Sequence, residues 1–197
     1  MKHNKLKPGM QVPTFDVVDV HGNRVSTAAL RGRKTLVSFH RFSTCPYCNV
    51  RVQRLKEAWP TLEAHGLQVV VFFQSPQENL DDHATMGHAP FPVVADPERV
   101  VYDRYGVDKS TTGMLTGALG RLPDAMQALK SGWSLALPDG DMTSLPAHFL
   151  LDEDGKVHTA HYGRDIGDHL PIDDVIAFAA QSPPSSTTQA VSTRKPA

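Results

Sequence analysis

The sequence predicts an α/β protein built around a parallel β-α-β core. Runs of β-branched and aromatic residues at 34–40, 67–73 and 91–96 have the length and composition of buried strands. The segments between these runs carry helix-start signals and helical spacing, and strands that alternate with helices favour parallel pairing. The chain has 197 residues, of which 40% are hydrophobic and 21% charged, and this is the composition of one globular domain.

The first predicted elements are a hairpin and a core strand. Residues 14–20 form a β-rich run that ends at a His-Gly-Asn turn, and the next residues resume it. Ser26 is a suitable N-cap for a short helix that Gly32 ends. Residues 34–40 then predict the first buried strand of the core.

A longer helix is predicted to begin near Cys45. Its apolar residues recur at steps of three, four and three, which places them on one face. They are Val52, Leu55, Trp59 and Leu62. Gly66 is a good C-cap for this helix. Pro60 is expected to kink or split it, because proline has no backbone N–H.

Two more helices flank the strand predicted at 91–96. Ser75 as N-cap, followed by Pro76, predicts the helix before that strand. Pro97 is expected to open the helix after it, and Gly106 to end that helix.

The later part of the chain is predicted to hold an insertion, a second hairpin and a tail. Residues 108–144 are rich in Gly and Thr and are expected to be an insertion, with one helix at 122–132. Two strands follow around an Asp-Gly turn at 154–155, and residues 174–180 predict a last helix. Residues 181–197 are poor in apolar residues, which predicts a disordered tail.

The predicted domain therefore spans residues 7–180. Lys and Arg total 20 and Asp and Glu total 21, so no basic surface for nucleic acid is expected. The longest clean apolar run, at 69–73, is too short for a bilayer, and the basic start has no apolar signal segment. We therefore expect no membrane association and a cytoplasmic location, where close cysteine pairs are more often catalytic or metal-binding than structural.

The only two cysteines, Cys45 and Cys48, lie two residues apart where a predicted strand gives way to a helix. The start of a helix stabilises a thiolate, and thiols there can have a pKa of roughly 3.5–7.5 instead of about 8.5. Pro46 suits the first turn of such a helix. We expect Cys45 to be the more exposed, attacking thiol and Cys48, one turn inward, to be the resolving thiol.

Two alternatives to redox chemistry are a structural zinc site and two inert buried cysteines. A zinc site needs further ligands, and the chain has 10 histidines but no second cysteine pair. The candidate histidine ligand pairs are His83 with His88 and His158 with His161. Neither pair has convincing ligand spacing, so most histidines are expected at the surface or in packing, with His40 and His148 as exceptions. The Gly-rich segment at 111–120 lacks the phosphate-loop pattern.

The order of these segments resembles the thioredoxin-like superfamily, and more closely the alkyl hydroperoxide reductase/thiol-specific antioxidant (AhpC/TSA, peroxiredoxin-like) family, from about residue 7 to 178. The resemblance is carried by "LKPGMQVPTFDVVDVHGNRVSTAALRGRKTLVSFHR", "CPYC", "FPVVADPERVVYDRYGV" and "LPAHFLLDEDGKVHTAHYGRDIGDHLP". "CPYC" is also similar to the glutaredoxin motif. The resemblance implies a thioredoxin-like three-layer fold, with a central mixed sheet flanked by helices. It also implies that Pro146 is a cis proline beside the cysteine loop.

The sequence departs from that family at two places. In the pattern P-x-x-x-T-x-x-C the proline and threonine positions are Ser38 and Phe42, so the hydroxyl that holds a peroxide is missing. The family's active-site arginine, expected near residues 145–146, is also missing. Arg41, Ser43 and Thr44 lie near enough to replace the missing hydroxyl, but their positions do not match the family pattern. The supporting residues expected around the cysteines are Thr44, Pro46 and Pro146.

These observations predict a thiol-disulfide oxidoreductase of the peroxiredoxin-like type that uses no cofactor or metal. Cys45 attacks a disulfide or a peroxide, and Cys48 resolves the product to a Cys45–Cys48 disulfide. The expected partners are that substrate and an external thiol reductant, either thioredoxin or a low-molecular-weight thiol. Two alternatives stay open, namely a peroxidase proper and a thioredoxin-fold binding or regulatory module without turnover. The sequence predicts neither the reductant nor the oligomeric state.

Overall fold

A computed structural model describes residues 4–81, 88–120 and 137–181. The strands are β1 (Asp16–Val18), β2 (Arg24–Ser26), β3 (Thr35–Phe39), β4 (Gln68–Phe73), β5 (Val93–Ala95), β6 (Ala147–Leu151) and β7 (Val157–Tyr162). The helices are α1 (Pro46–Ala64), α2 (Gln77–Asp81), α3 (Val100–Arg104), α4 (Thr111–Gly120) and α5 (Ile172–Ala180).

The central sheet is mixed and has the strand order β5-β4-β3-β6-β7. Strand β3 is parallel to β4, and β4 is parallel to β5, as the alternation of strand and helix predicts. Strand β6 is antiparallel to both β3 and β7. The N-terminal strands β1 and β2 form the separate predicted hairpin. The thioredoxin-like fold with a central mixed sheet is thus confirmed.

Side chains alternate across β3 and feed two cores on opposite faces of the sheet. Leu36 belongs to a core with α1 and α5, which also contains both cysteines. Val37 and Phe39 belong to the other core, with residues of α3 and the N-terminal segment. Because side chains of a strand alternate, Ser38 lies on the same face as Leu36, toward the cysteines. Strand β3 therefore places the hydroxyl of Ser38 on the face of the sheet that carries the cysteines.

The structure differs from three of the helix predictions. Helix α1 runs unbroken through Pro60. Residues 27–32 form consecutive turns instead of a short helix. Helix α3 begins at Val100 and not at Pro97, because Arg99 is left-handed at φ 59°. The Asp96 carboxylate accepts the backbone N–H of Val100 at 2.9 Å and that of Val101 at 2.8 Å, and so caps the helix. The helix therefore begins three residues later than Pro97 suggested.

The Gly-rich part of the insertion forms helix α4, which the sequence did not predict. Gly113 and Gly117, one turn apart, allow the helix backbone to approach residues 164–166 closely. A side chain at position 117 would place its Cβ 2.6 Å from Ile166 Cγ1. The helix predicted at 122–132 and the tail at 182–197 lie outside the described residues, as does His83. The domain limits of 7 and 180 remain predictions.

In the described ranges, no helix is long and apolar enough to cross a membrane.

We predict that Gly113→Ala destabilises the fold, whereas Gly120→Ala on the same helix does not. The new Cβ at 113 would lie 2.7 Å from the Arg164 carbonyl oxygen, so backbone must shift, at a cost of about 1–3 kcal/mol. Nothing lies within 4 Å of a Cβ at 120, and alanine is the better helix former. Urea unfolding followed by circular dichroism measures both, and equal midpoints would contradict the close approach.

Candidate active site

Cys45 lies at the N-cap of α1, six residues after Phe39, the last residue of β3. Its backbone is extended, with φ −72° and ψ 116°, and Pro46 occupies the first helical position. Cys48 follows in the first turn. Both cysteines are free thiols, and both have an exposed fraction of 0%. The expectation that Cys45 is the more exposed of the two is therefore wrong.

Arg41 contacts both sulfurs. One terminal nitrogen of its guanidinium lies 3.5 Å from Cys45 Sγ, and its backbone N–H donates to Cys48 Sγ at 3.3 Å. The other terminal nitrogen donates to the carbonyl oxygen of Met142. Arg41 itself is only 3% exposed. A buried guanidinium is costly unless it meets negative charge, and the sulfur of Cys45 can supply that charge as a thiolate.

The surroundings move the two thiol pKa values in opposite directions. Burial raises the pKa of Cys45, but hydrogen bonds from Cys48 and the charge of Arg41 outweigh burial and lower it from 9.0 to about 7. The pKa of Cys48 is raised well above its ordinary value by burial and by the neighbouring Cys45. Cys45 is therefore the thiol that ionises first, and Cys48 donates to it.

A segment of the insertion, residues 137–142, packs against the loop at 41–44 that leads into Cys45. We call it the cover segment. Ser43 Oγ donates to Asp139 Oδ2 at 2.7 Å, and Asn79 Nδ2 donates to the same oxygen at 2.9 Å. Gly140 lies against the Phe42 ring, where a Cβ would come within 2.8 Å of the Phe42 Cβ. The carboxylate of Asp139 therefore ties the cover to the loop that carries Cys45.

The hydroxyl groups near Cys45 have other partners. Ser43 is bound to Asp139, and Thr44 Oγ1 donates to the Leu137 carbonyl oxygen at 3.3 Å. Ser38, at the family's proline position, bonds to His40 and His148 inside the protein, both at 2.8 Å. Phe42, at the family's threonine position, is 5% exposed and packs in the core. The polar contact that the structure adds for Cys45 comes from Arg41.

The cis form expected for Pro146 is wrong, because no peptide bond within the described ranges is cis. Backbone hydrogen bonds hold the chain on both sides of the proline. Leu145 N–H donates to the Asp108 carbonyl oxygen at 3.0 Å, and the Pro146 carbonyl oxygen accepts from Gly163 N–H at 2.8 Å. Pro146 is buried against Gly163, whose missing Cβ would lie 2.9 Å from the proline ring.

Two residues of the site were not among the sequence-predicted catalytic and supporting residues. Arg41 stands four positions before Cys45 and was expected only as one of several side chains that could replace the missing hydroxyl. A cation at the end of a buried strand, just before a Cys pair, is the signal that favours it. Asp139 is far from the cysteines in sequence, and no local pattern indicates its contact with Ser43.

The chain belongs to the AhpC/TSA family, whose model matches residues 8–160. It is a thiol-dependent oxidoreductase of the peroxiredoxin-like kind.

Curated relatives and a solved structure agree with this family. The chain is 28% identical over 177 residues to Peroxiredoxin-like 2C of Homo sapiens, covering 84% of this chain and 77% of the relative. It is 26% identical over 156 residues to Peroxiredoxin Bcp of Escherichia coli, covering 78% and 84%. The crystal structure of Peroxidoxin BcpB from Mycobacterium tuberculosis superposes with a TM-score of 0.65 at 16% identity, covering 90% of this chain and 99% of that one. This last likeness shows the fold.

We predict that Asp139→Ala increases the rate at which iodoacetamide alkylates Cys45 by roughly tenfold, which is about 1.4 kcal/mol of opening free energy. The variant removes the acceptor of two hydrogen bonds that hold the cover segment. Peptide mass mapping identifies the alkylated cysteine. Asp154→Ala, at a carboxylate whose side chain is 78% exposed, is the control. An unchanged rate in Asp139→Ala would mean that this carboxylate does not limit access.

We also predict that the alkylation rate of Cys45 follows a thiolate with a pKa of about 7. The rate should rise with pH, reach half its maximum near that pH and level off above it, because only the thiolate reacts. Arg41→Gln removes a charge that favours the thiolate, so its midpoint should shift to higher pH. Arg31→Gln, at an exposed arginine, should leave the midpoint unchanged. A wild-type midpoint near 9 would contradict the Arg41 contact.

Proposed function

We propose that Cys45 is the attacking thiolate and Cys48 the resolving thiol of a dithiol oxidoreductase whose preferred substrate is a disulfide. The observation that carries this proposal is the contact of Arg41 with both sulfurs, at 3.5 Å from its guanidinium to Cys45 and 3.3 Å from its backbone to Cys48. This arrangement gives the pair one ready nucleophile and one thiol that stays protonated until it is needed.

The first step is attack of the Cys45 thiolate on one sulfur of the substrate disulfide. The substrate S–S bond breaks, a mixed disulfide forms on Cys45, and the other half of the substrate leaves as a thiolate. The charge on Cys45 disappears in this step. Since that charge helped to raise the pKa of Cys48, its loss makes Cys48 easier to ionise.

The second step is attack of the Cys48 thiolate on the Cys45 sulfur. The mixed disulfide breaks, the second half of the substrate leaves as a thiol after taking up the proton from Cys48, and a Cys45–Cys48 disulfide remains. Two electrons have passed from the dithiol to the substrate. An external thiol, thioredoxin or a low-molecular-weight one, then reduces the pair. Cys45 is fully buried, so part of the surrounding chain must move for either step, and we infer that residues 137–142 are that part.

Peroxide reduction is the second candidate, and membership of the AhpC/TSA family supports it. In that reaction the Cys45 thiolate attacks the terminal peroxide oxygen, an S–O bond forms as the O–O bond breaks, and the leaving alkoxide or hydroxide takes up a proton from water to leave as an alcohol or water. Cys48 then condenses with the resulting sulfenic acid and releases water. Arg41 is placed to stabilise charge near the sulfur. Phe42 offers no hydroxyl to hold the peroxide, so we expect this reaction to be the slower one.

We predict that Cys48→Ser accumulates one adduct per chain when it reacts with hydroxyethyl disulfide. The serine cannot resolve the mixed disulfide, so intact-mass analysis should find it on Cys45. The wild-type chain should instead lose two hydrogens and carry no adduct. Cys45→Ser is the matched control and should carry little or no adduct on Cys48, whose raised pKa keeps it protonated. An adduct on Cys48 alone would reverse the proposed roles.

A stopped-flow measurement of hydrogen peroxide consumption by the reduced wild-type chain distinguishes the two candidate reactions. We expect consumption at a rate near that of a free thiolate and slower than reaction with the disulfide. Peroxide consumption that is orders of magnitude faster than that of a free thiol would make the chain a peroxidase proper.

A further inference from the structure

A cavity of about 430 Å³ lies between α1 and the segment that leads into α5. Its volume is within the usual range for small-molecule sites. Tyr47, Val50, Leu170 and Ile172 form apolar walls. The polar lining residues are Arg51, Arg54, His169 and Asp173. The cavity therefore combines a hydrocarbon-lined space with two guanidinium groups.

Arg51 is the unusual member of this lining. It is 4% exposed, and within the described ranges its Nε and one terminal nitrogen have no hydrogen-bond partner. Burial, together with the charge of Arg54, lowers the pKa of Arg51 to about 9. Buried charges in proteins are normally paired, because an unpaired one has lost its hydration without compensation. Arg51 thus lacks a negatively charged hydrogen-bond partner among the described residues.

The carboxylates near the cavity do not supply this charge. Asp168 accepts from Arg164 Nε at 3.0 Å and lies 3.4 Å from His161 Nε2. Asp173 is exposed in the first turn of α5, and the ion pairs recorded among the described residues do not join it to Arg51 or Arg54. Among the described residues no carboxylate pairs with Arg51, and an anion from solution is a partner of the required charge.

A hydrogen-bonded chain of histidine side chains lies behind the cavity. His169 Nδ1 bonds to His148 Nε2 at 2.9 Å, and His148 Nδ1 bonds to Ser38 Oγ at 2.8 Å. The same hydroxyl bonds to His40 Nε2 at 2.8 Å. Burial lowers the pKa of His148 well below its ordinary value and that of His40 to about 3. These rings therefore bring no negative charge to Arg51 and add hydrogen-bond capacity at the polar end of the cavity.

We propose that this cavity binds a small amphiphilic organic acid, with its carboxylate on Arg51 and its hydrocarbon part against Val50, Leu170 and Ile172. A guanidinium presents two parallel N–H groups that match a carboxylate. The apolar walls favour a ligand with a hydrocarbon chain over an inorganic anion. This site does not depend on the thiol chemistry proposed for Cys45 and Cys48, and its test reads binding alone.

Calorimetric titration of the full reduced chain with octanoate tests the proposal. We expect one site, with octan-1-ol and inorganic phosphate each binding at least tenfold more weakly, because each lacks one half of the recognised chemistry. Arg51→Gln should weaken octanoate binding at least tenfold, and Arg33→Gln, at an exposed arginine, should not. Equal binding of octanol or of phosphate, or unchanged binding by Arg51→Gln, would overturn the proposal.

Thermal unfolding of Arg51→Met keeps the test decisive if that position affects folding. Without ligand, this variant should melt at the wild-type temperature or above it, since an unpaired buried charge has been removed. Octanoate should raise the melting temperature of the wild type and not that of the variant. A large fall in the melting temperature of the variant without ligand would mean that Arg51 has an internal partner, and the proposal would be wrong.

Discussion

The contact of Arg41 with the two cysteine sulfurs is the interaction on which the site depends. Strand β3 ends just before Arg41, and α1 begins a few residues after it. The guanidinium and both sulfurs therefore lie together in the buried interior. A guanidinium buried there requires negative charge, and the Cys45 thiolate is the group placed to provide it. The same surroundings lower the pKa of Cys45 and raise that of Cys48, and the proposed order of the two thiol steps rests on this difference.

Burial of this pair has a consequence for access. Cys45 is fully buried, and Asp139 holds the cover segment against the neighbouring loop through Ser43 and Asn79. Excluding water strengthens the attraction between Arg41 and the thiolate, but it also keeps substrate away until the cover moves. The end of the insertion, which the sequence marked only as a departure from strand-helix alternation, therefore contacts the loop that carries the candidate site. It links reactivity to the opening of one segment.

The sequence predicted the elements whose signals are local. Buried strands, the helix after Cys45 and the late hairpin followed from apolar runs, periodicity and turn residues. Helix α4 was missed because glycine is a poor helix former, and its formation depends on the close packing of Gly113 against Arg164. Pro97 suggested a helix start that the carboxylate of Asp96 overrides. Asp139 could not be predicted at all, because its role arises from a contact between segments distant in sequence.

The reduction potential of the Cys45–Cys48 pair tests the central claim most directly. Equilibration of the protein with thiol redox buffers, followed by mass analysis, measures it. With a Cys45 pKa of about 7, a value that thioredoxin shares, the account predicts one two-electron couple nearer to about −270 mV than to about −120 mV. Failure of the two cysteines to form a reversible disulfide at any buffer ratio would contradict it.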